Sequence, residues 1–302
     1  MIPRFLAHLQ DNDLSPHTVK NYEYTLNRFA QWFEKAGGQS GFDPARITPL
    51  DLREWRRELQ SQRQKPGTIN QKMALLTGFF DWCLAENVVA ANPARGVKRL
   101  KQVTAAPKWL TRPQAYALLR TVEERVQLAD LKRLEVSRLL ARRNAAMIGL
   151  MLHAGLRVAE VCALEAADIH LLPRSGRVVV RQGKGNKYRE VPLNIDARRA
   201  IARYQELCPA QPGGLFNRND KPLHPRTVQQ HLAELGRVAG LEFKLTPHML
   251  RHTFGKNLSN AGVPLDQIAM LMGHSSVETT AIYTMPGEQD LKAAVDRIAW
   301  SE

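Results

Sequence analysis

Three times the chain places a hydroxyl residue before a proline and follows the pair with apolar residues every third or fourth position: Ser15-Pro16, Thr48-Pro49 and Thr246-Pro247. A serine or threonine oxygen caps free amides at a helix start, and proline in the first turn lacks an amide that would go unpaired there. After Ser15-Pro16 the apolar positions are Val19, Tyr22, Leu26, Phe29 and Phe33, a run that Gly37-Gly38 ends. Leu52, Trp55 and Leu59 give the second helix an apolar face, and Ile69, Met73, Leu76, Phe80 and Cys83 give one to a helix after Pro66-Gly67. The N-terminal third therefore reads as a small helical bundle. Strand character is convincing only between Ile169 and Leu193, where HLL, RVVVRQ and YREVPL are separated by the turn-forming PRSG and GKGNK. The fold class expected is mainly α with a small antiparallel β-sheet. Helices are expected again over 196–207, 226–239, 247–261 and 265–272.

Residues 92–107 mix Pro, Gly, basic and small side chains without a sustained apolar face, as a linker does. This places a helical domain at 1–97, a linker at 98–107 and a second domain at 108–302. Lys and Arg number 43 against 29 Asp and Glu, a formal charge of +14, and the excess is spread over both domains. Spread positive charge favours an extended polyanionic partner gripped by two domains, without choosing between DNA, RNA and anionic lipid. No apolar run approaches a membrane span, and the N-terminus has no apolar signal region, so a cytoplasmic protein is expected. Cys83, Cys162 and Cys208 lie far apart among apolar residues, as buried free thiols do.

The chemistry is concentrated in four places. In LTPHMLRHTFGKN, residues 245–257, His248, Arg251 and His252 share one helical face. A fixed guanidinium between two histidines would repel a metal cation but suits a phosphate, which wants bidentate donors beside an imidazole able to move a proton. His252 is read as structural, packing or hydrogen-bonding behind the other two. In AGLRVAEVCAL, Gly155 ends one helix and Arg157 opens the next, with Glu160 placed to orient the guanidinium or to serve as a favourable first-turn acid. Lys184 and Lys187 sit in the GKGNK turn. His274 follows the helix-ending Gly273, and Tyr283 lies nine residues on. Taken singly, each has an ordinary reading as a solvated cation or a core aromatic.

Their order and spacing together closely resemble the tyrosine recombinase, phage-integrase-like family, above all its compact Xer-like branch, over nearly the full length. AGLRVAE with Arg157 matches the first family box, GKGNK with Lys184 the lysine turn, PHMLRHTF with His248 and Arg251 the second box, and LMGHSSVETTAIYT with His274 and Tyr283 its end. LSPHTVKNYEYTLNRFAQWFE is similar to the family's helical core-binding domain. The chain departs from compact relatives in a longer charged helical stretch between Leu119 and Ala146, and in Met285, where a histidine is common.

The resemblance implies a two-domain clamp on double-stranded DNA with inverted-repeat core sites, working as a tetramer, with or without a second recombinase or accessory protein. Tyr283 would be the nucleophile forming a 3′-phosphotyrosyl link, and His248 its base. Arg157, Arg251 and His274 would stabilise the phosphate and Lys184 would protonate the leaving 5′-oxygen, with Glu160 in support. Neither metal nor another cofactor is implied. A type IB topoisomerase or a nonenzymatic DNA-binding protein on the same scaffold is the alternative.

Overall fold

The computed structural model describes residues 1–37, 41–102, 108–181, 188–208, 214–218, 221–274, 276, 279–284, 295–296 and 298. The chain divides into two compact units, Met1–Thr104 and Ala105–Glu302. In the first unit, α1 (Ile2–Asp11), α2 (Pro16–Gly37), α3 (Pro49–Ser61) and α4 (Pro66–Ala85) form a helical bundle. Two of the proline-marked starts work here as their chemistry dictates. Ser15 Oγ accepts from the Thr18 amide at 3.2 Å. Thr48 and Asp51 each take the other's amide in a capping box at the head of α3.

The core of this unit is aromatic. Phe5 and Phe79 meet edge-on at 5.2 Å between ring centroids, as do Phe29 and Trp55 at 5.1 Å. Edge-to-face contact suits the ring quadrupole and adds to the gain from burial. Helix α1 was not anticipated from the sequence, yet its Phe5 and Leu9, one turn apart, are both buried in this core.

In the second unit the central helix is α6 (Glu135–His153), which packs against α5 (Arg112–Lys132), α8 (Ile195–Gln205) and α10 (Pro247–Asn260). Ala146 and Leu150 of α6 have no exposed surface. The long charged stretch is thus two helices, broken where Arg133 adopts a left-handed conformation, φ 52°. Around that break Leu128, Leu131, Leu134 and Val136 are exposed, so the stretch is not purely polar.

The sheet falls where the alternation predicts: β1 (Ile169–Leu171), β2 (Gly176–Val180) and β3 (Arg189–Pro192) run antiparallel in that order. Ile169 pairs with Val178, and Val178 with Val191, so one face of the sheet enters the core. A two-residue ladder, β4 (Asn217–Arg218) with β5 (Lys221–Pro222), is an addition that the sequence pattern did not suggest. The remaining helices are α7 (Val158–Ala163), α9 (Pro225–Val238) and α11 (Leu265–Met272), with 3₁₀ turns at Pro44–Arg46, Ala166–Asp168 and Ala281–Tyr283. Cys83, Cys162 and Cys208 are free, the first two buried. Among the described residues no helix is long and apolar enough to cross a membrane.

Candidate active site

Thr246 caps α10, its hydroxyl accepting from the Met249 amide, and Pro247 follows in the first turn. The helix then carries the buried Arg251 and the half-buried His252, with His248 on the same face at its exposed first turn. Arg251 is buried, donating to Gly155 O at 2.5 Å and to Met272 O. Burial, with the nearby Arg157 charge, pulls its pKa down to about 10, so it stays cationic at neutral pH. The same two influences, burial first and then the arginines, hold His248 below its ordinary value and His274 down at about 4. Both imidazoles are therefore neutral at pH 7 and able to accept or donate a proton.

Arg157 caps α7 and stays partly open, with 26 % of its side chain exposed. It donates to Glu160 Oε1 at 2.7 Å and to Gly273 O at 3.0 Å. Glu160 is buried and also accepts the Arg157 amide at 2.8 Å. Burial pushes its carboxyl toward protonation, but hydrogen bonds and charge from Arg189 and Arg157 outweigh that and keep it ionised. Arg189, on β3, gives Glu160 a two-pronged contact at 3.0 and 2.7 Å and reaches Leu271 O with its Nε at 3.1 Å. No sequence motif had singled it out.

Tyr283 is fully buried at the end of its 3₁₀ turn. Its hydroxyl meets Nδ1 of His252 at 2.9 Å, and Ser259 Oγ donates to its carbonyl at 3.1 Å. His252, read from the sequence as packing or hydrogen-bonding behind the other two, is thus hydrogen-bonded to the phenol. Burial, then the charges of His248 and Arg251, hold this imidazole neutral with a pKa of about 4. The ring of Tyr283 lies over Gly255, where a β-carbon would stand 2.7 Å from its Cζ. His274 stacks on the other side, 6.3 Å between centroids, and is steadied by Thr280 Oγ1 at 2.8 Å from its Nδ1. Burial raises the phenol to about 12, against the opposing pull of Arg251 and Arg157. The structure thus brings Arg157, Glu160, His248, Arg251, His274 and Tyr283 into one cluster. Lys184 and Lys187 lie outside the described residues, as does Met285.

Two or more arginines converging on a phenol beside neutral imidazoles make a site for a phosphodiester and a tyrosine nucleophile. Comparison with known proteins agrees. Residues 108–289 match the phage integrase family and residues 2–87 its N-terminal SAM-like domain. Tyrosine recombinase XerC of Mesorhizobium japonicum is 34 % identical over 281 residues, covering 91 % of this chain and 86 % of the relative. XerC of Thermodesulfovibrio yellowstonii is 30 % identical, covering 98 % of this chain and 93 % of the relative. Among solved structures, XerH recombinase bound to palindromic difH in a post-cleavage complex superposes with a TM-score of 0.74 at 22 % identity, covering 92 % of this chain and 79 % of that one. The chain belongs to the phage integrase family.

Proposed function

We propose that this protein is a site-specific DNA recombinase that cuts and rejoins double-stranded DNA through a 3′-phosphotyrosyl intermediate and a Holliday junction. The observation that carries it is the gathering of Arg157, Arg251 and His274 around the buried Tyr283, with His248 beside the His252 that meets its hydroxyl. Kinship with recombinases that carry the XerC name supports strand exchange over simple relaxation.

In this reading Oη of Tyr283 leaves His252 and attacks the phosphorus, its proton passing to the neutral His248. Charge growing on the nonbridging oxygens is met by Arg157 and Arg251, with a hydrogen bond from His274. The bond from phosphorus to the 5′-oxygen breaks as Lys184 protonates that oxygen, since an alkoxide is a very poor leaving group in water. The phosphotyrosyl ester keeps the energy of the cleaved bond, and attack by another strand's 5′-hydroxyl reverses the sequence. Glu160 supports Arg157. Four protomers on two inverted-repeat sites would complete a recombination event, and sharing the sites with a second recombinase is compatible with the same chemistry.

A sulfur-for-oxygen exchange at the bridging 5′ position tests the assignment. A thiol has a pKa of about 8.5, so a thiolate departs without help from an acid. Lys184→Ala should cleave ordinary DNA slowly and the 5′-phosphorothiolate nearly normally, while Arg157→Ala and Arg251→Ala stay impaired on both. Tyr283→Phe should form no covalent adduct with either. An adduct formed by Tyr283→Phe would refute the mechanism, and an unrescued Lys184→Ala would remove the lysine from the acid role.

A further inference from the structure

Helix α11 ends beside the site, and its last carbonyls have no partners within the helix. Backbone amides take the first two of them: Ala269 O accepts from His274 N at 3.0 Å and Met270 O from Gly273 N at 3.1 Å. The next three go to three different arginines. Leu271 O accepts from Arg189, Met272 O from Arg251 and Gly273 O from Arg157. Cations are favoured at the negative end of a helix, and here they occupy it in consecutive order. Gly273 makes the close approach possible: its φ is +61°, and a β-carbon there would lie 2.8 Å from Arg189 Nη1.

The three arginines differ in what else they do. Arg157 keeps part of its side chain open, and Arg251 is the buried partner beside Tyr283. Arg189 is 9 % exposed and closed on every side the structure shows: both prongs of its fork are on Glu160 and its Nε is on α11. Through Glu160 it grips the carboxylate that holds Arg157. Through Leu271 it grips the helix end whose next two carbonyls hold Arg251 and Arg157. A planar guanidinium makes these contacts from three separate nitrogens in a fixed fork, whereas a lysine ammonium offers one nitrogen and no fork.

We propose that Arg189 is a positioning residue for the transesterification, fixing Arg157 and Arg251 by locking Glu160 and the end of α11 into one rigid piece. The proposal rests on the recombinase reading, and it distinguishes Arg189 from a DNA-contacting arginine because it acts through other residues. Displacing a clamping group by even about 1 Å costs on the order of a hundredfold in rate, since the gain from orientation is steep.

The test is a double-mutant cycle read in single-turnover cleavage at saturating DNA, on the full chain. Arg189→Gln should slow covalent adduct formation by roughly ten- to a hundredfold while changing DNA affinity by less than about threefold. In an Arg157→Ala background the same change should cost clearly less than it does alone, because one of the two arginines through which it acts is gone and only the placement of Arg251 is left to lose. Arg189→Lys keeps the charge opposite Glu160, and so the fold, but loses the fork; it should be nearly as slow as the glutamine variant. Full and independent costs in the double variant would overturn the proposal, as would a loss confined to affinity or a lysine variant with wild-type rate.

A second reading needs no DNA. In the free protein, Arg189→Lys should move the backbone amide resonances of Leu271 to His274 and leave those of the N-terminal bundle in place. Unmoved amides would refute the clamp. A wild-type chain that cuts no DNA, in which these amides nevertheless respond, would instead refute the recombinase reading.

Discussion

The N-terminal bundle and the catalytic unit both bury their most informative side chains, but of opposite kinds. The bundle packs Phe5, Phe29, Trp55 and Phe79 edge to face, with no charge among them. The catalytic unit sets Arg251, Glu160 and Tyr283 beside its own apolar core. Apolar contacts are non-directional, so the first cluster depends mainly on volume. A buried polar group must find its partners or cost free energy, so the second depends on every donor and acceptor being in place. One region is defined by what fills it and the other by what pairs in it.

The comparison can be pressed hardest at Phe79. Phe79→Ala should cost about 3–5 kcal/mol by loss of transfer energy and creation of a cavity. Denaturant unfolding followed by fluorescence reads it, because Trp32, Trp55 and Trp82 all lie in the bundle. A cost below about 1 kcal/mol would mean that the ring is not in a close-packed core.

Gly255→Ala probes the other side with a change of sign. In an exposed helix this substitution would gain up to about 1 kcal/mol. Beneath Tyr283 the added methyl has no room, and a loss of roughly 1–3 kcal/mol is expected from overpacking. Displaced from its bed, the phenol should titrate nearer its ordinary value of 10 than the wild-type value of about 12. Carbon-13 labelling at tyrosine Cζ measures this, with the resonance assigned by its absence in Tyr283→Phe. An unchanged titration would show that the ring does not rest on Gly255.

The mildest effect concerns pH. His252 and His274 are held at about 4, below the 6.5 of an unfolded chain, so between these values the unfolded state binds more protons. Stability should therefore be complete above about pH 6.5 and fall as the pH drops toward 4, lowering the melting temperature by several degrees. His252→Gln cannot titrate and should lose less over the same range. Equal acid sensitivity in the two proteins would clear His252 of any part in it.

Helix starts, the three-stranded sheet and the shared face of His248 and Arg251 were legible because each leaves a local mark: a capping pair, an alternation, a run of basic residues on one helical face. Arg157 and Tyr283 were joined to them only by the resemblance of the motif order to that of the family. Helix α1 was missed although Ile2, Phe5, Leu6 and Leu9 recur at helical spacing and pack into the bundle core, because Met1 at its head offers no capping side chain to announce it. Arg189 was invisible for a different reason. In YREVPL it is one more charged residue on a strand, and its importance comes from Glu160 and Leu271, which are 29 and 82 positions away. His252 was placed on the right face as a packing or hydrogen-bonding residue, but its partner was not legible, because helical spacing says nothing of a tyrosine arriving from 31 residues downstream.

Tyr283 has no surface that even a water molecule could touch. A phosphodiester in a duplex is far bulkier, so in the proposed reaction no DNA strand meets Oη of Tyr283 where it lies. Resting on the arginines and being cut would thereby be separate events, the second waiting on the side chain coming out of its bed.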